Sequence, residues 1–251
     1  MQYDMSEGFG AQVHGRTIGE MWAGLVNAVI DHGKRCFDEG RERIALDNIR
    51  VRSDAQNFPD SIITSCANDY QLSAMLDLMF NRDKMEDIDV VQSFSPGAKS
   101  YRHRIKEGKM VDFVIERLSL IPESKKAVIV FPTYEDYAAV MRNHRDDYLP
   151  CIVSIQFRLL PVGEGYVMNT TMYSRSMDVW QKGHGNFLSV AMLSDHIKNE
   201  IEKRINKKIT MGHLDGLICD GHIYNEKYAE SKLRMQELAK SLAGESKARI
   251  A

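Results

Sequence analysis

A single α/β domain built on a mixed sheet is the fold class that this 251-residue sequence predicts. Three observations predict it. Segments with apolar residues at helical spacing alternate with short apolar runs, the pattern of helices covering a sheet. No internal repeat, low-complexity tract or clear linker divides the chain, so residues 1–251 read as one domain, with 1–16 and 240–251 expected to be flexible. The length is ample for one hydrophobic core.

The elements follow in order. Ile18, Met21, Trp22, Leu25 and Val29 recur at three- and four-residue spacing and predict a helix over 17–38. Residues 41–60 are mixed and hold Arg41, Arg43, Arg50 and Arg52. Leu72, Met75, Leu76 and Met79 predict a helix over 68–81. The stretch 82–108 is polar and irregular, with a turn at Ser95-Pro-Gly97. Met110, Phe113, Val114 and Leu118 give a helix over 110–120 that runs into Pro122. Ala127 to Phe131 reads as a buried strand. Cys151–Leu160 and Tyr166–Ser174 read as two strands around a Pro-Val-Gly-Glu-Gly turn. Phe187–Ile205 reads as a helix, 209–223 contains a further strand, and 226–251 is a charged helix.

Composition excludes several classes. The formal net charge is -2, which gives no general pull toward nucleic acid or anionic membrane. No apolar run approaches a membrane span, and the first residues lack a basic-then-apolar signal pattern, so the cytosol is the expected compartment. Cys36, Cys66, Cys151 and Cys219 are scattered without a CxxC pair, which argues against a disulfide framework or a metal site.

Cys151 follows Pro150 and opens a strand-like run. A cysteine on a strand is ordinarily a small buried hydrophobe, and its neighbours alone do not decide otherwise. Downstream lie Tyr173-Ser-Arg-Ser-Met-Asp178, Gly185-Asn-Phe187 and Asp220-Gly-His-Ile-Tyr224. Together they supply a cation, amide and carboxylate groups and two ring donors, a set that suits a small anionic ligand carrying a heterocycle. Each also has a plain reading. Arg175 could form a structural ion pair. Asn186 could cap a helix starting at Phe187. His222 and Tyr224 could be ordinary strand residues. Lys125 and Lys126 could be a solvated turn.

The motifs resemble those of the thymidylate synthase and pyrimidine nucleotide hydroxymethylase superfamily: "PC" then "QF" at 150–157, "MYSRSMD" at 172–178, "GNF" at 185–187 and "DGHIY" at 220–224. The resemblance is strong over 120–230 and traceable over 17–120. It implies the thymidylate synthase fold, with helices flanking the sheet and two copies packed sheet to sheet, their active sites shared across the interface. It implies one-carbon transfer from 5,10-methylenetetrahydrofolate, a co-substrate, to C5 of a uridine monophosphate, with deoxyuridylate (dUMP) favoured and no metal. Cys151 is then the nucleophile. Arg175 grips the phosphate and favours the thiolate, and Ser176 adds a phosphate hydrogen bond. Lys125 and Lys126 come from the partner copy, where the family has two arginines. Arg43, or alternatively Arg41, supplies an N-terminal phosphate cation. Gln156 joins the substrate-binding residues, Asn186 reads the uracil edge, and His222 and Tyr224 bind the sugar hydroxyl. Asp178 lies between the base and the folate. Asp77 stands where the family has a catalytic glutamate.

Three departures accompany the resemblance. Ile152 replaces the histidine that follows the nucleophile. Residues 82–100 are compressed and lack the family's tryptophans, and the tail is a charged helix in place of a short apolar lid. More water at the methylene intermediate would favour a hydroxymethyl product over thymidylate. A relative that binds nucleotide without catalysis is the alternative from another class.

Overall fold

The computed structural model describes residues 2–6, 10–38, 40–67, 69–80, 99–142 and 149–248. The expected turn at Ser95–Gly97 and the compressed stretch up to residue 98 fall outside them. The described strands are β1 (Gln2–Ser6), β2 (Gly10–Gly15), β3 (Lys34–Asp38), β4 (Arg41–Ser53), β5 (Val128–Val130), β6 (Ile152–Val162), β7 (Gly165–Ser174), β8 (Met177–Asp178) and β9 (Ile209–Tyr224). The described helices are α1 (Ile18–His32), α2 (Ser61–Cys66), α3 (Asp69–Phe80), α4 (Tyr101–Glu107), α5 (Met110–Leu120), α6 (Tyr134–Arg142), α7 (Gly183–Ile205) and α8 (Asn225–Ala248).

One mixed sheet runs β1-β2-β4-β9-β7-β6-β5, with β3 against β4 and β8 against β9. The β2–β4, β7–β9 and β8–β9 pairs are parallel and the rest antiparallel. The mixed α/β class is therefore as the sequence predicts.

The helix predicted from Ile18 forms, and Ile18, Met21, Trp22, Leu25 and Val29 are all buried. Its N-terminus is capped twice: Thr17 accepts from the Glu20 N–H, and buried Asp60 accepts from the Gly19 N–H at 2.9 Å. It stops at His32, because Gly33 leaves the helix with extended backbone, and residues 34–38, expected to be helical, become β3. The mixed residues 41–53 form one long strand. Residues 101–107, expected to be irregular, form α4 behind the Ser100 cap. The helix expected from Phe187 starts four residues earlier, at Gly183.

The centre of the sheet breaks its own alternation. Ile44, Leu46, Ile49 and Val51 are all buried, with a three-residue step between 46 and 49. On β9 the same step separates buried Ile218 from Gly221, where an added Cβ would strike Ile49. Asp47 pairs with Asp220 and Ile49 with Ile218, so both strands carry an extra residue at one level. Asn48 takes it up with φ 54°, the left-handed region that asparagine tolerates. The inserted step turns Arg43, Asp220, His222 and Tyr224 off the core face and onto one side of the sheet.

Candidate functional site

The ends of β6, β7, β8 and β9 meet at one edge, and most of the sequence-predicted residues gather there. Cys151 is half-buried at the start of β6. The Arg175 N–H donates to the Cys151 carbonyl at 2.9 Å, extending the β6–β7 ladder past its last pair. The Arg175 guanidinium then folds back around the cysteine. Nε donates to the Pro150 carbonyl at 3.2 Å and Nη2 to the Leu149 carbonyl at 2.7 Å. The Ser176 hydroxyl lies 3.7 Å from the Cys151 Sγ and donates to it. A hydroxyl thus meets the thiol, and a guanidinium is held on the two backbone carbonyls that precede it.

Next along the edge, β8 lies beside β9 with Asp178 opposite His222. The Asp178 carboxylate accepts from the N–H groups of Trp180 and Gln181 and from the Gln181 side-chain amide. It closes the turn that leads into α7. Trp22 of α1 pins that turn by donating to the Val179 carbonyl at 2.8 Å and by stacking on Trp180. Asp178 therefore fixes where α7 begins, and with it the place of Asn186. Asn186 is buried and already inside the helix, its N–H bonded to the Lys182 carbonyl, so it does not cap a helix that starts at Phe187.

His222 and Tyr224 point the same way, with ring centroids 5.1 Å apart, edge to face. His222 Nδ1 lies 2.7 Å from Asp220 Oδ1, and the same oxygen takes an ion pair from Arg43 Nη1. Burial alone would push the Asp220 carboxyl up, but His222 and Arg43 hold it down at about 2. An ionised carboxylate only accepts, so Nδ1 of His222 carries the proton and Nε2 is left to meet a ligand. Burial and the nearby Asp178 and Asp38 carboxylates push the Tyr224 hydroxyl up to about 12, which keeps it a donor at neutral pH. Arg41 lies over the Tyr224 ring, 5.8 Å from its centroid.

Asp220 has no role in the sequence-based set, where Arg41 stands only as the alternative to Arg43. Tyr101 is absent from it, and its hydroxyl accepts from the Ile152 N–H at 2.9 Å, next to the nucleophile candidate. Asp220 was legible two residues before His222, at the head of "DGHIY". Tyr101 follows a serine that caps a helix, a signal that a helix begins there.

Other expected residues lie apart. Lys125 and Lys126 are exposed just before β5, and the Gln156 amide donates to the Lys125 carbonyl at 3.1 Å. Gln156 is five residues along β6 from Cys151, about 16 Å at strand rise. Asp77 sits on α3, lining a cavity shared with α4, α5 and α7. Among the described residues no group of three histidine, cysteine, aspartate or glutamate side chains could hold a metal. No helix among them is long and apolar enough to cross a membrane.

Comparison with known sequences finds two curated relatives. A protein named "Putative thymidylate synthase" from Methanothermobacter marburgensis is 29% identical over 122 residues. One of the same name from Methanothermobacter thermautotrophicus is 26% identical over 123 residues. Each match takes in 49% of this chain and 48% of the relative, so the chain spans about half the length of the curated relatives it matches. No family model matches. These relatives support a thymidylate synthase-like superfamily for this chain.

At this edge Asp220 holds two things at once, Arg43 and the His222 tautomer. Replacing it by asparagine should lower stability at pH 7 by roughly 2 kcal/mol, from the depression of its carboxyl below the usual value. The sign is fixed by linkage. A carboxyl depressed by folding stabilises above its unfolded value, and this is lost as pH falls toward 2. The wild-type and Asp220→Asn urea midpoints should therefore differ at pH 7 and converge in strong acid. Nitrogen NMR of the imidazole should show His222 leaving the Nδ1–H form in the variant.

Proposed function

We propose that the protein transfers a one-carbon unit from 5,10-methylenetetrahydrofolate to C5 of a uridine monophosphate, dUMP in the first instance, to give thymidylate. The observation that carries this reading is the thiol's setting: Cys151 takes a hydrogen bond from the Ser176 hydroxyl and follows two carbonyls that hold the Arg175 guanidinium, at the edge that also carries His222 and Tyr224, with Asn186 in the first turn of α7. Binding alone needs no thiol at that point.

The chemistry follows from these groups. Cys151 Sγ adds to C6 of the uracil ring, and the electron pair moves toward O4, making C5 a nucleophile. The folate supplies the methylene and, for a methyl product, the hydride. After loss of the C5 proton, the S–C6 bond breaks and the thiol is free again. Arg175 and Ser176 face the phosphate, Asn186 pairs with the O4 and N3–H edge, and His222 Nε2 and the Tyr224 hydroxyl take the sugar hydroxyl. Arg43 is committed to Asp220, so Arg41, the alternative cation at this end, is free of that ion pair to meet the phosphate. Asp77 would serve proton transfer. A hydroxymethyl product is the second reading, supported by buried Ile152, an apolar side chain at the position after Cys151 where the resemblance expects a histidine.

The reading includes a homodimer. Lys125 and Lys126 precede β5 beside Gln156, five residues along β6 from Cys151, and in this proposal they reach the phosphate of a second copy. Mixing Cys151→Ser protein with Lys125→Glu/Lys126→Glu protein should restore activity that neither variant has alone. If no activity returns, the sites are not shared.

The deciding experiment is mass spectrometry of the nucleotide after incubation with dUMP and methylenetetrahydrofolate. A methyl adduct with dihydrofolate confirms thymidylate synthesis. A hydroxymethyl adduct with tetrahydrofolate selects the second reading. Unchanged dUMP, uridylate and both cytidylates would overturn the enzyme reading in favour of a binding role.

A further inference from the structure

A cavity of about 850 Å³ opens between α3, α4, α5 and α7. Its level on α7 is Met192 to His196, about 10 Å along the helix from Asn186. It therefore lies at another level of α7 from the edge that holds Cys151, and of the residues assigned to the one-carbon reading only Asp77 lines it. Leu76, Ile105, Val111, Met192 and Leu193 form its apolar wall, and the first four are only half-buried. Half-exposed aliphatic side chains converging from four helices are an incomplete core, and a hydrophobic body filling the space would remove them from water.

The mouth has a sign. Arg102, Lys106 and Lys109 line it, with Lys106 and Lys109 exposed, against the carboxylates of Asp77 and Asp112. Lys109 stands at the N-cap of α5 in left-handed backbone, φ 48°, and no side chain caps that helix. The first N–H groups of α5 and the positive end of its dipole thus face the same mouth as the two lysines.

From this pairing of an apolar wall with a cationic mouth, we infer that the cavity binds a small amphipathic anion, an apolar ring or chain bearing one carboxylate or phosphate. The body lies on Leu76, Ile105, Met192 and Leu193. The charged group lies at Lys106 and Lys109. Asp77 on the cavity wall is the one residue shared with the one-carbon-transfer reading; the inference rests on the apolar wall and the two lysines, uses neither the thiol nor the residues around it, and its test reads binding alone.

The probe is 8-anilinonaphthalene-1-sulfonate, an aromatic body with one anionic group, titrated by fluorescence into the full chain, with phenyl phosphate and inorganic phosphate as competitors. Saturable binding at one site is expected, with displacement by phenyl phosphate far below the concentration at which inorganic phosphate acts. Lys106→Glu/Lys109→Glu should weaken binding at least about tenfold, the scale of losing two charge contacts. Met192→Glu should do the same by charging the apolar wall, and near-UV circular dichroism reports whether each variant keeps its packing. Arg50→Glu, in a groove on the sheet beside Val13 and Leu217, is the control and should leave binding within about twofold. Addition of dUMP should not displace the probe. Binding that survives both cavity variants, that Arg50→Glu abolishes, or that dUMP displaces would overturn the proposal.

Discussion

Cys151→Ser should abolish nucleotide turnover, by at least about four orders of magnitude, the scale seen when an enzyme nucleophile is removed. The serine hydroxyl fits the same space, so nucleotide affinity should change little. A hydroxyl is a far weaker nucleophile toward C6 than a thiolate, and the step that activates C5 is lost. Release of tritium from [5-³H]dUMP reads that step directly, because it does not depend on whether the product is methyl or hydroxymethyl. Loss of tritium release with retained dUMP binding in Cys151→Ser is the expected pair of results. Equal tritium release by both proteins would remove Cys151 from the chemistry. Ser176→Ala is the graded companion. It removes only the hydroxyl donated to Sγ and should cost about tenfold or less.

How much of this site the sequence displays depends on how each residue gets there. Cys151, Arg175, Ser176 and Asp178 come together because β6 and β7 form a hairpin and β8 follows at once, so adjacency in sequence becomes adjacency in space. His222 and Tyr224 were readable as a pair because an extended strand places i and i+2 on one side. What that rule could not give was the side itself. The matched extra residues at 47–48 and 219–220 reverse the alternation, and nothing in the apolar pattern of β9 announces it. The fate of Arg43 was hidden for the same reason. Its partner Asp220 lies 177 residues away, across the β4–β9 pair. The early start of α7 was missed because Gly183 and Gly185 read as loop residues. Met75 of α3 packs where a side chain at 185 would stand, so the glycine serves close packing within a helix.

The same limit applies to α4 and α6, and there the consequence for stability is largest. Thr133-Tyr-Glu-Asp136 is a capping pattern for α6: the Asp136 carboxylate accepts from the Thr133 N–H at 2.7 Å. Its second partner is invisible in sequence. Arg104 of α4 reaches it with two hydrogen bonds, at 2.6 and 2.7 Å, and also donates to the Phe131 and Lys99 carbonyls. The Arg104 side chain is 4% exposed. Burial pushes the Asp136 carboxyl up, but the bonds from Arg104 and Thr133 outweigh it and hold it below the usual range.

Asp136→Ala should therefore destabilise the protein by about 3–5 kcal/mol, because it strands a buried guanidinium as well as removing a cap. Replacing both partners, as Arg104→Met with Asp136→Leu, should recover a large part of that loss, since the unpaired charge goes with its partner. Urea unfolding of the single and double variants makes the comparison. If the double variant is as unstable as the single, the stranded charge is not the cause. Acid gives the same test without mutation. The depressed carboxyl stabilises above its unfolded value, and this is lost as pH falls through the lower folded one. The consequence extends to the nucleophile. Tyr101 sits one turn before Arg104 on α4, and its hydroxyl holds the Ile152 N–H. Loosening α4 should therefore lower kcat even at temperatures where Asp136→Ala stays folded. A loss of stability with unchanged kcat would instead place the ion pair in the scaffold alone.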